Sequence, residues 1–391
     1  MGKQNAFLRL MPDCALTRKF ASGLQIRMMR RYELDDAAVA EGESSAEAKQ
    51  RITAACMKKW KKKGQQINRL IEAQINKIPA YQERTDLEAV RNDMLFCFFA
   101  YGFLPNEYYP YQLEHKSREE RESFISEKLR IVFRCRMNDI LAADQFKDKA
   151  KTYQQYRKFF RRDAIAIETA SDLEAFRSFV TKHPVFVKKI VFESQGNSVE
   201  LVDLNQTAED ADALFQKYIK IGKHILEEPI RQSSALSAFN ASSVNTVRLI
   251  SLNTKSGIVF PYCCLRTGRP GCFVDNGGAG GIMAGVDAMT GQIYTDGMDE
   301  IGGLYPEHPG TGTVFRGSQL PDWEALLQIC REAAQIVPEI KYIGWDFAHT
   351  DAGWTIVEGN ECCQLIAKQM LDGKGLRSTF ETIMKDMDLV L

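Results

Sequence analysis

Gly344-Trp345-Asp346-Phe347-Ala348 lies inside the apolar run Ile343–Thr350. Twelve residues after its aspartate comes Glu358-Gly359-Asn360, at the end of a second run that begins at Trp354. Between the runs, Asp351-Ala352-Gly353 is turn chemistry, so the two are expected to form a hairpin. On such a hairpin Asp346 and Glu358 fall on neighbouring strands. Glu358 and Asn360, two apart, point to one face of an extended strand. Carboxylate and amide oxygens are hard ligands that suit Mg²⁺. Glu-x-Asn alone also fits a polar turn after an edge strand, and it is the paired aspartate that favours a metal site.

Working back along the chain, four stretches add to this hairpin. Val244-Asn245-Thr246-Val247-Arg248 puts an arginine inside an apolar strand, where arginine needs a partner. A planar, permanently charged donor there suits a phosphoryl or carboxylate oxygen, or a structural ion pair. Asp275-Asn276-Gly277-Gly278-Ala279-Gly280-Gly281 is dense in glycine, which permits close approach of backbone to a ligand or a sharp turn. Val185-Phe186-Val187-Lys188-Lys189 ends an apolar strand in lysine, ahead of Gln195-Gly196-Asn197-Ser198, a short loop able to offer N–H groups to phosphates. His224–Ile230 carries Glu227 and Glu228 at the end of another apolar strand. The Walker A spacing is absent, as is GxGxxG. His308, in Glu307-His308-Pro309, is either a substrate contact or a turn residue.

Two regimes divide the 391 residues. Residues 1–146 read as helical, with apolar residues at helical spacing through Ile52, Cys56, Ile67, Leu70, Ile71 and Ile75, an apolar stretch at Asp93–Phe103 and a helix through Glu119–Arg134. From residue 147 short strands alternate with turns and a few helices. Strands are expected at Ala164–Glu168, Pro184–Ile190, Ser198–Leu204 and His224–Ile230. A long antiparallel pair, Thr246–Leu252 with Ile258–Arg266, and the final hairpin complete the set. Helices are expected after a Ser171/Glu174 capping box, at Ala208–Lys220 and at Trp323–Val337. Many antiparallel pairs mixed with helices give an α+β class.

Lys and Arg balance Asp and Glu at 51 each, so overall charge favours neither nucleic acid nor an anionic membrane. No apolar run reaches the length of a membrane span, and the first residues lack a secretory pattern. Gly2 lacks the Ser or Thr of a myristoylation motif, having Ala6 in its place. Ten scattered cysteines without metal spacing read as reduced thiols of a cytoplasmic protein. Lys58-Lys59-Trp60-Lys61-Lys62-Lys63 reads as a solvated helix face in preference to a peripheral membrane contact.

Taken in order, these stretches resemble the ATP-grasp superfamily. With His308-Pro309-Gly310-Thr311-Gly312 and Pro321-x-Trp323 they are most similar to its sugar-transfer-associated branch, from about Asp148 to the C-terminus. The resemblance implies two α+β subdomains clamping ATP, residues 147–225 forming a lid and 226–391 holding metal and substrate, after a helical region 1–146. It implies that Lys149 and Lys188 contact the nucleotide phosphates. Gln195, Gly196, Asn197 and Ser198 would close over them, and Glu227, Glu228 and Ile230 would line the adenine and ribose. Arg248 would steady the transferring phosphate alongside Lys188, and Asp346, Glu358 and Asn360 would ligate Mg²⁺. Substrate contacts would come from Asn245, Asp275, Asn276, Gly277, Gly280, Gly281 and His308. The implied chemistry is ATP-dependent activation of a small-molecule or glycan-linked carboxylate as an acyl phosphate, followed by attack of an amine or, less often, a thiol, in a cell-surface polysaccharide setting. A kinase acting on a hydroxyl would need the same residues. A non-catalytic nucleotide-binding scaffold is the third reading, weakened by the presence of all these charged residues in one chain.

Overall fold

Apolar residues on both sides of Asp346 make the strand that carries it a central one. In the computed structural model, which describes residues 15–192, 199–206, 210–272, 275 and 280–390, it lies within a seven-stranded antiparallel sheet. Its order is β11-β10-β5-β6-β7-β8-β9, formed by β5 (Thr246–Thr254), β6 (Gly257–Thr267), β7 (Ile282–Gly285), β8 (Gly297–Met298), β9 (Leu304–Tyr305), β10 (Tyr342–Thr350) and β11 (Gly353–Asn360). A smaller sheet of order β1-β4-β2-β3 uses β1 (Ala164–Ile167), β2 (Val185–Ile190), β3 (Glu200–Asp203) and β4 (His224–Glu227). The expected boundary at 225/226 therefore cuts through β4, whose pairing with both β1 and β2 keeps it in the smaller sheet.

The helical part opens with α1 (Ala15–Met29), α2 (Asp36–Ser44), α3 (Ala46–Lys59), α4 (Lys61–Lys77), α5 (Leu87–Ala100), α6 (Pro105–Tyr108) and α7 (Arg118–Ser123). Ile52, Ile67, Ile71 and Ile75 meet the buried Met94–Phe99 stretch of α5 in one core; Leu70 of the same periodic set is exposed. The helix expected over Glu119–Arg134 is two, because Ser126 caps a new helix, α8 (Glu127–Met137), by accepting from Leu129 N. Helix α8 does not stay with the bundle. Its Phe133 and Met137 pack with Ile250, Leu252 and Tyr342 of the large sheet, on the face also covered by α14 (Ile366–Asp372) and α15 (Arg377–Asp386). Contacts thus cross the expected 146/147 boundary.

The opposite face of the large sheet receives α9 (Lys149–Phe160) and α13 (Trp323–Ala334), with Trp345 and Phe347 of β10 pointing into that core. The smaller sheet is backed by α10 (Leu173–Lys182) and α11 (Ala211–Ile221) around Phe176, Phe186 and Phe215; a four-residue turn of helix, α12 (Ser234–Ser237), precedes β5. Entry to α10 is capped two residues earlier than the Ser171/Glu174 expectation. Thr169 and Asp172 form the reciprocal pair, leading through a 3-10 turn.

Candidate active site

Period-two alternation divides β10 sharply. Trp345 and Phe347 enter the core under α9, so Asp346 projects from the other face. There Asp346 is the register partner of Glu358 on β11 and of Arg248 on β5, and Gly344 is the partner of Asn360. The three expected metal ligands are therefore side by side. Cys363 comes so close to β10 that a Cβ on Gly344 would stand 2.5 Å from its Cβ and Sγ. Glycine at 344 is what lets the chain beyond Asn360 fold back.

Asp346 is buried and held from two strands. Arg248 donates to both its oxygens, through Nε and through Nη2 at 2.8 Å, and Arg266 of β6 pairs with Oδ2 at 3.0 Å. Burial works against the charged form, yet the two guanidinium groups hold its carboxyl below the ordinary range. Arg266 also donates to Thr246 Oγ1 at 2.8 Å and stands 3.7 Å from Asp275, which accepts from the same hydroxyl. Burial pushes the Asp275 carboxyl up despite Arg266.

Glu358 is treated differently. It is half-buried, and neither its carboxylate nor the Asn360 amide has a side-chain hydrogen bond to any described residue. Burial, then the facing Asp346, pushes its carboxyl up, while Lys149, Lys189 and Arg248 pull the other way. Two carboxylates on partnered positions, one saturated by arginines and one without a donor, with an amide oxygen on the same side, fit a divalent cation. Glu358 and Asn360 would offer open oxygens, and Asp346 a remaining lone pair, since an ionised carboxylate accepts at about four sites.

The cation delivered by the smaller sheet is not the expected one. Lys188 shares the helix-covered face of β2 with Phe186; it pairs with Glu200 at 2.5 Å and lies over the Tyr218 ring. Lys189, one residue on, emerges on the other face, pairs with Glu227 at 2.8 Å and acts electrostatically on Glu358. The expectation was one residue out of register, which on a strand reverses the face. Lys149, at the start of α9, also reaches toward Glu358 and donates to Val191 O at 3.3 Å.

Glu227 is buried, with Arg162 at 2.6 and 2.9 Å on Oε2 and Lys189 on Oε1. Against its burial these cations hold its carboxyl down to about 2. Three of its four acceptor sites are engaged, so Glu227 orients Lys189 and has at most one site, on Oε1, left for a ribose hydroxyl. Glu228 turns to Asp163, its N–H donating to Asp163 O at 2.9 Å, and lines a shallow pocket of about 350 Å³ with His183, Lys182 and Arg157. Asp163, His183 and Glu228 have metal-ligand spacing, but Lys182 already holds Asp163 at 2.5 Å and the surrounding cations oppose a metal there. Ile230 follows on the same connection, half-buried.

Two expected substrate residues are structural. Asn245 is fully buried; its amide donates to Gln232 Oε1, Leu236 O and Asn240 O at 2.7–3.1 Å, closing the loop before β5. His308 is buried with Nε2 2.9 Å from Gly268 O and Nδ1 accepting from Gly310 N, so both ring nitrogens are occupied by a turn. Gly280 has φ +92° and its carbonyl accepts from Arg269 Nε at 2.8 Å; Gly281, buried, leads into β7. Gln195, Gly196, Asn197, Ser198, Asn276 and Gly277 lie outside the described residues.

Sequence reading missed Arg266, Lys189 and Arg162, and it missed what α8 does. Arg134 pairs with Glu361 at 2.6 Å, Arg130 donates to the carbonyls of Cys362 and Cys363, and Asn138 bonds Tyr342 N, Tyr342 O and Glu361 O. These clamp the segment that follows the Glu-x-Asn pair. Arg130 and Arg134, four apart on a helix with apolar neighbours, were the signal for a buried polar face.

A family model described as sugar-transfer associated ATP-grasp matches residues 128–385, starting within α8. Among solved structures, the chain is similar to the ATP-grasp ligase PsnB complexed with a minimal precursor (10% identity, TM-score 0.40, 68% of this chain and 70% of that one). It is also similar to D-alanyl-alanine synthetase A from Vibrio cholerae O1 biovar eltor (12%, 0.41, 63% and 67%) and to D-alanine–D-alanine ligase from Bacillus anthracis complexed with ATP (12%, 0.37, 64% and 67%). Comparison with curated proteins finds no match. With the match spanning both sheets and every residue of the carboxylate–arginine cluster, the chain belongs to the sugar-transfer associated ATP-grasp family.

Proposed function

We propose that the protein is a Mg-ATP-dependent, ADP-forming ligase that activates a carboxylate for attack by an amine or, less often, a thiol. The observation that carries this reading is the unpartnered Glu358 facing the doubly held Asp346, with Arg248 and Arg266 on one side and Lys149 and Lys189 on the other. Asp346, Glu358 and Asn360 would hold Mg²⁺, which when bound neutralises charge on the β- and γ-phosphates. Lys149 and Lys189 suit the phosphates, with Glu227 fixing Lys189 in direction. Arg248 and Arg266, tied to Asp346, present fixed positive charge that need not reorganise as the phosphoryl group moves.

In the reaction the substrate carboxylate oxygen attacks the γ-phosphorus, the bond to the β-bridging oxygen breaks, and ADP leaves. The amine then attacks the acyl carbon and displaces phosphate, losing a proton. No side-chain nucleophile is required; the chain positions reactants and keeps water from the acyl phosphate. The family's association with sugar transfer supports a glycan-linked or sugar-derived substrate in cell-surface polysaccharide synthesis. The free cysteines and the need for ATP fit a cytoplasmic setting.

Hydroxylamine trapping tests the chemistry. Incubated with Mg-ATP and a panel of sugar acids and amino acids, the protein should release ADP and yield a hydroxamate from the accepted carboxylate. ADP release with a phosphate ester and no hydroxamate would replace this reading with the kinase one.

A further inference from the structure

Among the described residues, one side of helix α1 packs on α8 and the turn that follows it. Arg18 pairs with Asp139 at 2.9 Å, Ala21 meets Ile140, Gln25 accepts from Arg134, and Ile26 sits among Val132 and Cys135. The other side is Lys19, Phe20, Gly23, Leu24, Arg27, Arg30 and Arg31, all exposed, with Phe20 at 53% and Leu24 at 37%. Phe20, Leu24, Arg27 and Arg31 follow one helical stripe. From Ala15 to Tyr32 there are five basic residues and no acidic one, in a chain whose charges cancel only when summed over its whole length.

At its end the stripe joins a second basic group. Tyr32 packs edge-on against Trp60 at 5.8 Å, with Arg31 and Lys63 near the Tyr32 ring and Lys59 over Trp60 at 4.6 Å. The Lys58–Lys63 run, read from sequence as a solvated helix face, thus surrounds a half-buried aromatic pair packed on the helical core and meets a further cation, Arg31, from the turn after α1.

We propose that this surface, the outer side of α1 together with the Tyr32–Trp60 corner, docks on an anionic lipid membrane. Charge complementarity selects a polyanionic partner. The apolar pair in mid-stripe selects lipid over nucleic acid, because Phe20 and Leu24 gain by entering the headgroup–acyl boundary and gain nothing from a phosphate backbone. None of these side chains belongs to the carboxylate–arginine cluster, so this inference stands apart from the proposed reaction.

The test is flotation of the full chain with vesicles of phosphatidylcholine alone and of phosphatidylcholine with phosphatidylserine. Wild-type protein should float only with the anionic vesicles. R27Q/R31Q should weaken binding about 30-fold, each basic residue near an anionic surface contributing about 1 kcal/mol. F20S/L24S should remove the part of the binding that survives high salt. Both variants alter exposed side chains, and their unfolding midpoints should match wild type. Equal binding to neutral vesicles, undiminished binding by both variants, or no vesicle binding overturns the proposal. So does retention of a labelled DNA or RNA duplex, an acidic protein or a second copy of the chain in place of vesicles.

Discussion

Replacing Glu358 by glutamine should make the unligated protein more stable and the nucleotide-bound protein less so. Glu358 has its carboxyl pushed up by burial and by Asp346. A carboxyl that binds its proton more tightly when folded weakens folding at every pH above its unfolded pKa, with the full cost reached above its folded pKa. Glutamine keeps the shape and removes the charge, so at pH 7 the unligated variant should gain on the order of 1 kcal/mol. Ligand has the opposite effect. A ligand at a hundredfold excess over its dissociation constant adds about 2.7 kcal/mol, roughly 5–10 °C in midpoint for a domain of this size. Thermal unfolding of both proteins, without ligand and with ATP, Mg²⁺ or both, reads the two effects separately. Wild type should shift with Mg-ATP, and Glu358→Gln should start higher and shift little. An undiminished Mg-dependent shift in the variant would refute Glu358 as a metal ligand. An unligated variant weaker than wild type by 2 kcal/mol or more would show that the carboxylate has a favourable partner and would refute the electrostatic argument.

Asp346→Asn should cost about 3–5 kcal/mol in chemical denaturation, since it leaves Arg248 and Arg266 buried against a neutral side chain; a loss under 1 kcal/mol would mean that the arginines find other partners. Glu227, with its carboxyl held down to about 2, contributes stability that is complete above its unfolded pKa and fades as pH falls through the folded one. The gap between wild type and Glu227→Gln should stay level from neutral pH to about 5 and close between there and pH 2; a gap independent of acid would contradict the assignment. Lys189→Met should abolish most of the ATP-dependent thermal shift and Lys188→Met should leave most of it, because only Lys189 faces Glu358; the reverse order would restore the sequence expectation.

The hairpin and its three oxygen donors were legible in the sequence because a polar residue in an apolar strand announces its face. Asp346, Glu358 and Asn360 needed only period-two counting. Register in β2 was not legible: Val185-Phe186-Val187 is apolar on both faces and is followed by two lysines, so nothing in the run says which lysine shares the face of Phe186. The packing of Phe186 against α10 and α11 decides it. Asn245 and His308 failed for another reason. A buried polar side chain with every hydrogen bond satisfied internally has the same sequence signature as one awaiting a substrate, and only the partners distinguish them. The role of α8 was hidden because helical periodicity reports an apolar face without naming what covers it.

The charges explain why such a cluster can stand buried before any nucleotide arrives. Arg248, Arg266, Lys149, Lys189 and Arg162 face Asp346, Asp275, Glu358 and Glu227, five cations against four carboxylates. The apportioning is uneven. Asp346 and Glu227 each take two cations and stay ionised, while Glu358 and Asp275 carry raised pKa values and bear the residual repulsion. The small positive excess, with a divalent cation at Glu358, approaches the roughly four negative charges of ATP at neutral pH. The fold thus keeps its arginines fixed by carboxylates and leaves one carboxylate, Glu358, with its charge disfavoured in the unligated protein, as the proposed cation site requires. Removing any one of the holding carboxylates should therefore damage stability first, and removing Glu358 should damage nucleotide binding first.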